Sequence, residues 1–106
     1  MELRFRGEMI YWRGPAPFTF VRIPEAESDD IAEIASMVTY GWGAIPVDAR
    51  IGQTDFYTAL FPKDGVYLLP VRVAIRRAEG LDVGDEIEVE LSVGGSQRRG
   101  PLSGGS

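Results

Sequence analysis

The segment Glu86-Ile87-Glu88-Val89-Glu90-Leu91-Ser92-Val93 alternates without a break between polar and apolar side chains. An extended chain puts every second residue on one side, so this pattern is a β-strand with one face in an apolar core and the other in water. The same period of two runs through the N-terminus. There Leu3, Phe5, Gly7, Met9 and Tyr11 alternate with Arg4, Arg6, Glu8 and Ile10, which predicts a long first strand with one buried face.

Punctuation along the chain divides the rest into short elements. Gly14-Pro15-Ala16-Pro17 is a turn, and Phe18 to Ile23 is a second strand that Pro24 ends by lacking an N–H donor. Ile31, Ile34, Ala35 and Val38 fall at helical spacing, so Glu25 to Val38 reads as an amphipathic helix. Ser28 is its expected N-cap, with Asp29 and Asp30 on the positive end of the helix dipole. Tyr40-Gly41-Trp42-Gly43 leads out of the helix into a third strand from Gly43 to Ile51, where Pro46 implies an edge, a bulge or the start of the strand. After the turn Gly52-Gln53-Thr54-Asp55 come a fourth strand, Phe56 to Phe61, the turn Pro62-Lys63-Asp64-Gly65, and a fifth strand, Val66 to Leu69. Pro70 then introduces a short helix beginning near Val71 or Arg72, with Gly80 as its C-cap. Leu81-Asp82-Val83-Gly84-Asp85 turns into the alternating strand Glu86 to Val93. The expected fold is mainly β with two short helices, in one domain over residues 1–93, followed by a flexible Gly/Ser-rich tail over 94–106.

Composition excludes several function classes. The chain has 106 residues, enough for a single core. It contains no cysteine and no histidine, which removes disulfides, thiolate nucleophiles, His-based triads and His or Cys zinc sites. A disulfide-free chain fits a reducing, cytoplasmic compartment. No signal-peptide core precedes the first strand, and no apolar run approaches the roughly 18 residues of a membrane span. A net charge of -5 disfavours nucleic acid as the main partner without excluding a local basic patch. Ten of the eleven basic residues are arginine, a bias that points to a GC-rich genome rather than to an activity.

Two segments share a plan. Phe18-Thr19-Phe20-Val21-Arg22-Ile23-Pro24 enters one helix and Tyr67-Leu68-Leu69-Pro70 enters another, which suggests pseudo-duplicated strand–Pro–helix halves. The same join also arises without duplication. The stretch from Leu69-Pro70-Val71-Arg72 to Gly84-Asp85-Glu86-Ile87-Glu88-Val89 resembles the swapped-hairpin pattern of AbrB-like regulators, over about a fifth of the chain. A longer resemblance covers the ordered region: Phe20-Val21-Arg22-Ile23-Pro24, Trp42-Gly43-Ala44-Ile45-Pro46-Val47, Ala59-Leu60-Phe61-Pro62, Gly65 to Arg72, and Gly84 to Val89. This series is similar to the domain of unknown function 1905 family. The resemblance implies a small double-split β-barrel, AbrB-like in plan, which one chain with two halves could close alone. The family carries no settled activity, so nothing catalytic comes with it.

Candidate chemistry is sparse. Arg72, Arg76 and Arg77 share the second helix, and Arg22 precedes Pro24 in the first half. Together they suggest an anion patch, against the plainer alternative of a solvated face with Arg76 or Arg77 paired to Glu79 or to the Glu86-Glu88-Glu90 row. Trp42 with Tyr40, Trp12 and Tyr57 suggests a pocket lining or a platform for stacking on a base, against the alternative that such aromatics build the core and rim of a barrel, and Trp42, Arg72 and Tyr67 suggest a small-molecule or enzymatic site. Glu25, Glu27, Asp29 and Asp30 lack the order of a calcium loop. Ser28, Ser36 and Thr58 have no histidine or lysine beside them to act as base. No catalytic residue, metal or cofactor is implied. The expected function is a binding or interaction module with an unknown protein or small-molecule partner, as a monomer or homodimer. The alternatives are an AbrB-like nucleic-acid-binding regulator and a small-molecule-binding domain near Trp42 and Arg72.

Overall fold

Two strands longer than the others decide the architecture. They are β1 (Glu2–Trp12) and β4 (Thr54–Lys63), and each belongs to two sheets in succession. The remaining elements are β2 (Phe18–Arg22), α1 (Glu25–Val38), β3 (Ile45–Ile51), β5 (Val66–Val71), α2 (Val73–Glu79) and β6 (Glu86–Val93). The computed structural model describes residues 1–13, 18–38 and 45–93. The expected tail over 94–106, the Gly14–Pro17 turn, and Gly43 and Ala44 of the expected third strand lie outside the described residues.

β1 pairs with β6 from Glu2 to Glu8 and then with β2 from Met9 to Trp12. β4 pairs with β3 from Thr54 to Leu60 and then with β5 from Phe61 to Lys63. Pairing of β3 with β6 and of β2 with β5 completes a closed antiparallel barrel in the order β1-β2-β5-β4-β3-β6. Exchanging β1-β2-α1-β3 for β4-β5-α2-β6 returns the same circular order, so the topology has the two-half symmetry that the recurring join suggested. Closure removes most of the strand edge that would otherwise invite association.

The interior follows the alternation. Phe5, Met9, Val21, Ile45, Val47, Leu60, Leu69, Val71, Val89 and Leu91 form one core cluster, and each helix adds an isoleucine, Ile31 from α1 and Ile75 from α2. Gly7 lies where β1 leaves β6 for β2. A Cβ there would run into the Arg22 carbonyl oxygen and come within 2.9 Å of Val21 Cγ1, so only glycine lets β2 cross so closely. Tyr11 departs from the alternation and is exposed.

Pro70 does not stop the strand. β5 continues through it to Val71, and α2 starts only at Val73. The two prolines therefore differ in place: Pro24 directly precedes α1, whereas Pro70 sits inside β5 opposite Phe20. Ile23 N donates to Tyr67 O at 3.0 Å, and the two-residue period then turns the Pro70 nitrogen away from β2. On that other side pairing with β4 has already ended at Leu68, so no ladder bond is missing. Pro46 and Pro62 obey the same rule: β3 meets β6 only from Val47, and β4 has left β3 after Leu60.

Ser28 is not the cap of α1. The helix starts at Glu25, and Ser28 N already donates to Pro24 O at 2.9 Å. The Ser28 hydroxyl is buried, donates to Ile23 O and accepts from Tyr67 N, both at 3.1 Å, so it ties the end of β2 to β5. Gly80 does cap α2, with φ 64 and its N–H on Arg76 O. Asp64 and Gly65 both take positive φ, 53 and 85, as a two-residue hairpin turn between β4 and β5 requires. Pro62 and Lys63, expected in that turn, belong to β4.

Candidate functional site

The barrel wall has two outer faces of opposite character. The first, here the charged sheet, is formed by Glu2 to Glu8 of β1 with β6, β3 and Thr54 to Leu60 of β4. Its outward positions carry Glu2, Glu8, Asp48, Asp55, Glu86, Glu88 and Glu90 together with Arg4, Arg6 and Arg50. Register aligns Arg4, Glu90, Arg50 and Asp55 in one row across four strands, with charges alternating along it. Arg4 Nη2 lies 3.0 Å from Glu90 Oε2, and Arg50 Nη1 lies 3.2 Å from Asp55 Oδ2.

The second face, the aromatic sheet, is formed by Met9 to Trp12, β2, β5 and Phe61 to Lys63. These segments contain no Asp or Glu. Since Val21 and Leu69 point into the core, register turns Ile10, Trp12, Phe18, Phe20, Leu68, Pro70 and Phe61 outward, with Arg22 and Lys63 beside them. None of Ile10, Trp12, Phe18, Phe20, Leu68 and Phe61 belongs to the core cluster or packs against it, although Val66, Leu68 and Pro70 are themselves buried. Trp12 is 39% exposed and Phe61 46%, so the rim of the face meets solvent. Phe18 and Phe20 meet edge to face at 5.4 Å between ring centroids.

Trp12 and Lys63 stand at opposite corners of this sheet, on its first and last strands and at opposite ends of the β2–β5 pair. Even so, Lys63 Nζ lies 4.1 Å from the centroid of the Trp12 ring. Corners so far apart in the ladder meet only if the sheet is strongly coiled, which makes its outer side concave along that diagonal. A cation–π contact thus joins the two corners across the outer side of the sheet.

A separate open cleft of about 370 Å³ borders β6 and the end of α2, lined by Arg4, Arg50, Gly52, Glu79, Leu81 and the Glu86, Glu88 and Glu90 row, with Ile51 and Ile87. Glu79 is already engaged there. Its Oε2 accepts from Thr54 Oγ1 at 2.6 Å and from Gln53 N at 3.1 Å, so α2 clamps the turn between β3 and β4.

The residues singled out from sequence do not gather at one point. Arg22 is opposite Leu68, four residues before Arg72, which at the rise of a strand is about 13 Å along β5. Arg72 is exposed and is the N-cap of α2, with extended backbone and no side-chain cap bond. Arg76 is half-buried and its Nε is a buried donor without a hydrogen-bond partner among the described residues, while Arg77 is exposed. Neither has an ion pair there, since Glu79 holds the hairpin turn and Glu90 holds Arg4. Tyr67 is half-buried and packs against the core, away from the outer face. Trp42 lies outside the described residues. The sequence singles out Trp12 but not the face around it, although a signal was present: Met9 to Ile23 and Gly65 to Ala78 contain no acidic residue in a chain rich in them.

The family model for the domain of unknown function DUF1905 matches residues 5–91, from the first strand to the last. The chain belongs to the DUF1905 family. The match reaches every described strand and helix and includes the whole aromatic sheet, leaving out Glu2 to Arg4 of β1 and Ser92 and Val93 of β6. No curated protein matches the chain. Among the described residues no helix is long and apolar enough to cross a membrane, and no group of three or more acidic side chains could hold a metal ion.

Proposed function

We propose that this DUF1905 protein is a binding or interaction module whose binding surface is the outer, aromatic side of the sheet formed by β2, β5 and the ends of β1 and β4. One observation carries the reading: Ile10, Trp12, Phe18, Phe20 and Phe61 lie outward and contribute nothing to the core cluster. Apolar side chains that reach solvent without serving the core are the usual mark of a contact surface, and aromatic residues and arginine are enriched in such surfaces. The interior supports the same reading. Met9, Val21, Ile31, Leu69 and Val89 are fully buried within it, so the barrel is filled by its own side chains and function belongs on its outside.

Selection of a displayed random-peptide library tests this. Wild-type protein serves as bait, with counter-selection on a Trp12→Ser/Phe61→Ser variant of matched melting temperature. Peptides that bind the wild type and not the variant support the surface. Peptides that bind both equally, or a library that yields none, overturn it.

A further inference from the structure

We propose that the aromatic face takes a short segment of another polypeptide that carries both carboxylates and apolar side chains. This rests on the reading of that face as the binding surface and names the chemistry of what it holds. Charge is the first ground. The arginines of the charged sheet are matched in register, Arg4 to Glu90 and Arg50 to Asp55. Arg22 on the aromatic face, and Arg13 and Arg72 one residue beyond Trp12 and Val71, are exposed and have no ion pair among the described residues. A chain of net charge -5 that leaves these arginines unmatched around exposed aromatic rings presents an acceptor for anions on a sheet whose strands carry no carboxylate, although Asp64 at its rim lies 3.3 Å from Lys63.

The form of the partner follows from what surrounds and fills the face. A long polyanion would run over Glu25, Glu27, Asp29 and Asp30 of α1 or the carboxylates of the charged sheet. A short segment seated on the strands of the aromatic sheet meets no carboxylate of those strands. The rings also favour side chains over bases. Phe18 and Phe20 engage each other edge to face, and the Lys63 ammonium occupies one face of Trp12, which reduces the ring face open to stacking. A second copy docked through the same face would set each arginine among its like-charged equivalents, which opposes a symmetric dimer there.

The test uses the full chain, isotope-labelled for amide resonances, and three dodecapeptides with the same Leu and Phe positions and Glu, Gln or Lys at all others. The Glu peptide is expected to shift the amides of Ile10, Trp12, Phe20 and Arg22, to weaken as salt rises, and to bind well ahead of the Lys peptide. In an Arg22→Glu/Arg72→Glu variant, checked for an unchanged melting temperature, the Glu peptide weakens roughly tenfold or more and the order reverses. Equal binding of the Glu and Gln peptides at those amides removes the acidic partner and leaves the binding face standing. Absence of shifts on the aromatic sheet with all three peptides removes both. Tighter binding of an oligothymidylate at the same amides replaces the peptide with single-stranded nucleic acid. Amide shifts at that face that grow with protein concentration alone replace it with a second copy.

Discussion

Gly7 of β1 passes so close to Arg22 of β2 that a single added methyl group would strike the Arg22 carbonyl oxygen. Both positions are fixed by the crossover of β1 from β6 to β2, so neither strand can move aside without loosening the barrel. Gly7→Ala is expected to cost about 2–4 kcal/mol, the scale of overpacking against backbone. Gly80→Ala meets open space and must only hold a positive φ of 64, so it is expected to cost about 1 kcal/mol. Chemical denaturation of the two variants side by side checks the order.

Ser28 offers a second comparison. Its buried hydroxyl serves the Ile23 carbonyl and the Tyr67 N–H together. Ser28→Ala leaves both in a site that water does not reach freely, at an expected cost of about 1–3 kcal/mol. A conventional N-cap at an exposed helix start would cost about 1 kcal/mol and leave β5 untouched. Faster amide exchange at Tyr67 in the variant distinguishes the tie between strands from a cap.

Glu79 holds the Gly52-Gln53 turn through Thr54 Oγ1 and Gln53 N. Glu79→Ala is expected to destabilise by about 1 kcal/mol, with exchange of the Gln53 amide rising more than that of the strand interiors. If α2 merely lay near the hairpin, the Gln53 amide would exchange as in wild type.

The row of charges from Arg4 to Asp55 is expected to matter little for stability. Arg4 and Glu90 side chains are 67% and 52% exposed, and water screens such pairs. A double-mutant cycle on Arg4 and Glu90 is expected to return a coupling below about 0.5 kcal/mol that shrinks further with salt.

Most of the fold was legible because alternation and turn residues are local signals. The inward sets of β1 and β6 follow from period two, and α1 from period 3.6. What failed were points that depend on which strand lies alongside. Pro70 looks like a stop, yet it is tolerated inside β5 because β4 has already departed on its N–H side. Ser28 looks like a cap, yet its hydroxyl is committed to two backbone groups that the sequence does not place nearby. The candidate site was harder still. β5 is buried on both faces, so Val66 to Val71 reads as one apolar run that says nothing about which side faces outward. Only pairing with β2 sorts Leu69 and Val71 into the core and Leu68 and Pro70 onto the aromatic face. The four arginines were grouped because their helix and strand follow similar joins, whereas the register sets Arg22 and Arg72 at opposite ends of β5.

Adjacent residues on β4 give the most direct check of the claim that the outer aromatics serve contact rather than stability. Leu60 is fully buried, and Phe61 beside it is 46% exposed on the aromatic face. Thermal and denaturant unfolding of Leu60→Ala and Phe61→Ser, followed by titration of each with a peptide that shifts the wild-type amides, reads both roles at once. The expected result is a loss of about 2–5 kcal/mol for Leu60→Ala, little loss of stability for Phe61→Ser, and weakened peptide binding in Phe61→Ser alone. Phe61→Ser unfolding as easily as Leu60→Ala while binding the peptide like wild type would contradict the account.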